Sequence, residues 1–222
     1  MSRWTVLRVA LLVALGVFYV AGATEHAKEV NTFKARGDQS GYLWDAQNMY
    51  SNWHGANPPI LIGERNRMPV YAAFLATFWS PALSNDDFFA KAKIWNIYLS
   101  LGMLAVLAIV FACYLPPLPA TNLTLIVAFG YFIFKAGYAQ ADLLFAFLLF
   151  VAFLLFWDTL TRPSALTGTL VRAAAAGSVA ALAQLTKAAV LPLVVMFVVA
   201  CAFDALRRTS VTPRPPLAKL AA

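Results

Sequence analysis

Long apolar runs alternate with short polar breaks along the chain, and one long mixed segment lies near the start. The run at 143–157, LLFAFLLFVAFLLFW, has no apolar/polar alternation of the kind an outer-membrane strand would show. Unbroken runs of this kind predict helices that satisfy their own backbone in lipid. Six spans are predicted, at 4–23, 94–114, 120–136, 141–157, 169–186 and 188–206. Several fall short of the ~20 residues that cross a bilayer core, which predicts tilt or partial burial.

The breaks have chemical causes. LPPLPA at 115–120 stops a helix, because proline cannot continue the hydrogen-bond ladder. KAGYAQAD at 135–142 and DTLTRPSALTG at 158–168 separate the next spans, and Thr186-Lys187 makes a tight turn between the last two. The mixed segment 24–93 holds seven Lys/Arg, seven Asp/Glu, both histidines and three of the six tryptophans, so it belongs outside the lipid. Within it, 68–80 (MPVYAAFLATFWS) is apolar but short and proline-led, which predicts a helix along the membrane surface.

Charge orients the chain. With the N-terminus in the cytoplasm, Arg3, Arg8, Arg162, Arg172, Arg207, Arg208, Arg214 and Lys219 fall on the inner side, with only Asp158 and Asp204 against them. The 24–93 segment then lies outside, together with Lys135, Asp142 and Lys187, and the C-terminal tail returns to the cytoplasm. The expected fold is an all-α integral membrane protein of about six transmembrane helices. Its parts are a first helix (1–23), an extracytoplasmic loop with juxtamembrane helices (24–93), a five-helix bundle (94–206) and a basic cytoplasmic tail (207–222). A second reading of the start stays open. A basic flank, an apolar core and the small residues Ala21-Gly22-Ala23 also describe a cleaved signal peptide, which would leave five spans.

Composition sharpens the class. Of 222 residues, 61% are hydrophobic and 12% charged, which is too apolar for an ordinary soluble domain. The net charge of +7 does not indicate nucleic acid, because the basic residues flank apolar runs and form no stripe interleaved with aromatics. Cys113 and Cys201 lie inside apolar runs and read as small packing residues. His26 and His54 lack the neighbours of a zinc site. The sequon at Asn122-Leu123-Thr124 falls on the predicted inner side, away from glycosylation.

The candidate chemistry begins at 37–46, GDQSGYLWDA. If 38–50 is helical, Asp38, Tyr42 and Asp45 share one face at offsets of four and seven. A plainer account makes Asp38 a helix cap and the aromatics interfacial anchors. Asp142 opens a membrane helix and Lys187 sits between two apolar runs, where the plain accounts are an N-cap and a snorkelling lysine. Ionisable groups at helix ends facing a shared cavity are costly unless paired or used.

Four motifs in this order resemble the N-terminal module of the C-type-fold (GT-C) membrane glycosyltransferases, in the protein-mannosyltransferase and aminoarabinose-transferase superfamily. They are Asp38-Gln39-Ser40-Gly41-Tyr42, Arg67-Met68-Pro69-Val70-Tyr71-Ala72-Ala73, Asp142-Leu143-Leu144-Phe145-Ala146-Phe147 and Leu185-Thr186-Lys187-Ala188-Ala189. Two positions depart from the family pattern: Asp142 stands where glutamate is usual, and Ala188 where proline often follows the cation. Family members are longer, with further helices and an outer C-terminal domain. The resemblance therefore implies a truncated module, or a short paralogue with another job.

The resemblance implies transfer of a sugar from a polyprenyl-phosphate carrier to an acceptor hydroxyl at the outer membrane face, usually with inversion. It assigns Asp38 as catalytic base, and Asp142 and Asp45 as groups orienting the acceptor or a divalent metal. Lys187, Arg67 and Lys135 are the cations that meet the phosphate. The lipid carrier is the expected partner, with a membrane-protein partner or a missing C-terminal half as the second. A different class stays open: a non-catalytic membrane subunit that keeps the module and uses its outer loop to scaffold other membrane proteins. A transporter would want charges within several spans, which this chain lacks.

Overall fold

A computed structural model describes residues 3–62, 67–162 and 166–211. Among these the chain is all-helical, its only β-type pairing being an isolated two-residue bridge. The helices are α1 (Arg3–Glu29), α2 (Gln39–Trp53), α3 (Pro69–Ala76), α4 (Asn85–Tyr114), α5 (Pro117–Val127), α6 (Ile133–Lys135), α7 (Asp142–Thr161), α8 (Leu166–Gln184) and α9 (Leu191–Val211). A π-helical turn, Ala128–Phe132, joins α5 to α6 as one continuous run.

Each of the six predicted spans falls on a helix, but among the described residues only four helical stretches are long and apolar enough to cross a membrane. They are Val9–Glu29, Asn85–Tyr114, Pro117–Lys135 and Asp142–Thr161. The other two fall short for different reasons. In α9 the apolar part is only Leu191–Asp204. In α8 the sequence is diluted by Gly168, Arg172, Gly177 and Ser178.

The mixed segment is shorter than its composition indicated. Helix α1 continues through Glu25-His26-Ala27-Lys28-Glu29, because alanine, glutamate and lysine are strong helix formers whatever their polarity. Helix α4 begins nine residues before the expected span start. Ser84 caps it, its Oγ accepting from the Asp87 N–H at 3.1 Å, and Asp86 and Asp87 complement the dipole in the first turn. The predicted tail also loses its start: Arg207 lies inside α9, while residues 212–222, with Arg214 and Lys219, lie outside the described residues.

Three apolar clusters hold the fold. One packs α1, α4 and the α5–α6 run around Tyr19, Ile97, Leu104, Phe132 and Leu143. The second packs α2 and α3 on the first turns of α4 through Tyr42, Leu43, Tyr71, Leu75 and Phe88. The third packs α7, α8 and α9 around Ala152, Phe156, Ala180 and Val190.

Buried polar contacts bind the first two clusters to each other. Tyr71 Oη donates to Asn96 Oδ1 at 2.9 Å, and Asn96 Nδ2 donates to the carbonyls of Ala136 and Tyr138. Asn31 Nδ2 donates to Gly137 O and to Gln39 Oε1, both at 2.7 Å, and Gln39 Oε1 also accepts from the Ala139 N–H. In this way backbone groups of the 136–141 turn are satisfied by Asn31, by Gln39 from α2 and by Asn96 from α4. Gly137 permits the approach, since a Cβ there would stand 2.6 Å from that of Ala27.

Candidate functional site

Asp38 is the N-cap of α2, as the plain account of the sequence held, but its side chain caps nothing: no hydrogen bond runs from it to the first turn. The carboxylate is exposed at the edge of an open cleft of about 500 Å3, lined by Gly37, Asp38, Ser40, Gly41, Trp44 and Arg67. Gly37, at φ +64°, turns the chain into α2.

One turn into α2, Tyr42 and Asp45 point inward. Tyr42 meets Tyr71 edge to face, with ring centroids 5.1 Å apart. The Asp45 side chain is 1% exposed and its Oδ2 accepts from Arg67 Nε at 3.1 Å. Arg67 then runs along the cleft beside Gly41, where an added Cβ would fall 2.5 Å from the guanidinium carbon. Asp45 thus holds Arg67 in place, which is a more specific arrangement than a carboxylate open to an acceptor.

The strand-like approach to α3 meets the turn between α8 and α9. Arg67 and Lys187 form an antiparallel backbone bridge, and the Val70 N–H donates to Leu185 O at 3.0 Å. That turn runs from Leu185 to Val190, longer than the expected two-residue reversal, because Gln184 Oε1 accepts from the Val190 N–H and closes it. Lys187 Nζ in turn donates to Asp142 Oδ1 at 2.8 Å, the two side chains being about one-third exposed. Asp142 stands in the first turn of α7, where the helix dipole favours a carboxylate.

All four sequence motifs therefore meet at one place, linked in series from Asp45 to Arg67, Lys187 and Asp142. Burial pushes the Tyr42 hydroxyl up to about 12, helped by the negative charges of Asp38, Asp142 and Asp45 and opposed by Arg67. The Tyr71 hydroxyl is raised well above its ordinary value, first by complete burial and then by Tyr42 and Asp142. Both phenols are therefore neutral hydrogen-bonding and packing groups at any physiological pH.

Lys135 does not join this series. It lies at the end of α6 with its ammonium 5.9 Å from the centre of the Tyr138 ring. The two histidines are far apart in role. His54 stacks on Tyr50 at 3.9 Å, and His26 packs edge-on against Phe134. Among the described residues no group of three or more His, Cys, Asp or Glu comes together to hold a metal ion.

Sequence reasoning passed over three participants. Gly41 looked like a spacer within its motif, yet it makes room for Arg67. Gln140 fell in an interhelical break, yet its amide packs on Gly37 at the cleft. Arg36 was one charge in a balanced segment, yet its guanidinium lies 5.8 Å from the Tyr138 ring centre. No local pattern marks any of them.

No protein-family model, curated protein or solved structure matches the chain.

Proposed function

We propose that this chain is a membrane glycosyltransferase module that moves a sugar from a polyprenyl-phosphate carrier to an acceptor hydroxyl. The observation that carries this reading is the exposed Asp38 carboxylate at the rim of a polar cleft, backed by Arg67, Lys187 and Asp142 from three separate parts of the chain. In the reaction the acceptor oxygen bonds to the anomeric carbon as the bond from that carbon to the phosphate oxygen breaks. Asp38 takes the hydroxyl proton, and the electron pair leaves with the polyprenyl phosphate. An exposed carboxylate suits an acceptor that diffuses in from solution or from a neighbouring molecule. Tyr42, one turn further along the same helix, packs inward against Tyr71 in the second apolar cluster. In this reading the cleft faces the outer side of the membrane.

A second reading is favoured by one observation. Arg67 and Lys187 are each ion-paired within the chain, so the series neutralises itself as a purely structural clasp would. That arrangement fits a non-catalytic subunit that scaffolds other membrane proteins.

The experiment uses the purified full chain in lipid nanodiscs with a panel of prenyl-phosphate hexoses and pentoses. Asp38→Asn keeps size and hydrogen bonding but cannot accept the proton. Transfer is expected to fall by roughly a hundredfold or more, the usual worth of a general base, with unchanged donor binding. Unchanged turnover removes Asp38 from the mechanism. No transfer by the wild type, with a stoichiometric membrane protein copurifying, supports the scaffold instead.

A further inference from the structure

Cations around the cleft divide into two kinds. Arg67 and Lys187 face carboxylates, Lys34 pairs with Asp86 at 2.7 Å, and Lys93 donates to the carbonyls of Ala27 and Asn31. Arg36 and Lys135 differ. Arg36 donates through Nη1 to Val30 O at 3.1 Å, and no carboxylate contacts either residue among the described residues. Both are exposed, and both approach the same Tyr138 ring, at 5.8 and 5.9 Å from its centre. Their charged groups are thus no further apart than those two distances together allow.

The backbone fixes this pairing. The turn carrying Arg36 packs on the 137–140 turn through Gly37 and Gln140, and Gln39 binds both turns, accepting from the Ala139 N–H and donating to Arg36 O. Arg36 is two residues from Asp38 in the chain, and Gly37 between them lines the cleft. Lys135 ends the apolar stretch Pro117–Lys135, which sets it at headgroup depth. Two cations without a carboxylate partner, both approaching one aromatic ring, offer charge-assisted donors to an anion with several acceptor oxygens.

We propose that Arg36 and Lys135, steadied by Tyr138, bind the phosphate group of an anionic lipid, so that what the phosphate carries extends toward Asp38. This rests on the glycosyltransferase reading for what the lipid is, and changes which residues meet its phosphate: Arg36 and Lys135 bind, while Arg67 and Lys187 brace the cleft.

The test is binding of farnesyl phosphate to the full chain in phosphatidylcholine nanodiscs, with farnesol as the tail-only control and inorganic phosphate as competitor. Farnesyl phosphate is expected to bind with an affinity that falls with added salt, and farnesol to bind far more weakly. Arg36→Gln and Lys135→Gln should each weaken it about tenfold, and the double variant by roughly a hundredfold, while Arg36→Lys and Lys135→Arg keep most of it. Both residues are exposed, so the unfolding midpoint should not move, which separates lost binding from lost folding.

Displacement by inorganic phosphate at equal affinity upholds the site and assigns it to a free anion; displacement only by the prenyl phosphate assigns it to the lipid. Unchanged binding in the double variant, or farnesol binding as well as its phosphate, overturns the proposal. Binding that depends on Arg36 and Lys135 without transfer of any sugar would sink the transferase reading and leave this site standing. Transfer that needs Asp38 but ignores both cations would do the reverse.

Discussion

Gly41 shows how much one missing methyl group decides. It lies in the first turn of α2, and glycine costs up to about 1 kcal/mol relative to alanine in a helix. Gly41→Ala should therefore stabilise an ordinary helix. Here the new Cβ would meet three atoms of the Arg67 guanidinium at 2.5 to 2.8 Å, and that group cannot simply swing away while it holds the buried Asp45 carboxylate. Pulling Arg67 off the Asp45 carboxylate would break a buried ion pair, a loss of roughly 3–5 kcal/mol, so overlap is relieved by backbone shift instead. The expected outcome is a net destabilisation of about 1–3 kcal/mol by thermal or denaturant unfolding in detergent. The thinner, more flexible lysine of Arg67→Lys should reduce that cost. A gain in stability from Gly41→Ala would mean that Arg67 is not held against α2.

At the level of elements, the site depends on the turn between α8 and α9 docking on the approach to α3. The Lys187–Asp142 pair ties that turn to the first turn of α7, and its partial exposure limits its worth to about 1 kcal/mol. Lys187→Asp sets two carboxylates together and Asp142→Lys two ammonium groups, so each reversal should lower the unfolding midpoint. Combining them restores the attraction but places a lysine at the N-terminal end of α7, against the dipole. Recovery should therefore be incomplete, short by about 0.3–1 kcal/mol. The readout is the unfolding midpoint of all four proteins at low and high salt. Additive losses in the double variant would show that the two side chains do not interact.

The same elements show what could be read in advance. The grouping of Asp38, Tyr42 and Asp45 on one face follows from helical period and needs only the sequence. Their inequality does not: Asp38 stays exposed and Asp45 is buried because α3 covers one side of α2 alone, a tertiary fact. Proline marked the end of α4 correctly, since its effect is local. Hydropathy misplaced the end of α1 and the start of α4 because it measures polarity, while helix formation there follows propensity and the Ser84 cap. The Asn31–Gln39 pairing and the Asn96 contacts had no signature, because each joins an ordinary amide to backbone 40 or more residues away or to a side chain on another element.

For the whole molecule, the open question of arrangement is sidedness. The clustered acids, the two tyrosines and the cleft gather where α1 ends and where α4 and α7 begin, so every candidate group lies at one end of the helices. The opposite ends carry Tyr114, Thr161 and Arg162, with Arg162 and Arg172 both contacting Asp158. The excess of arginine at that end predicts that it faces the cytoplasm, while the charge-balanced α2–α3 region is translocated. Arginines already paired with Asp158 still count toward this rule, because orientation follows the number of Lys/Arg in short loops rather than net charge. In a variant with Cys113 and Cys201 replaced by serine, single cysteines at Thr32 and Ala56 should react with a membrane-impermeant maleimide in intact cells. A cysteine at Thr161 should react only after the membrane is opened. Labelling of Thr161 alone would invert the molecule and put Asp38 in the cytoplasm, against the proposed reaction at the outer face.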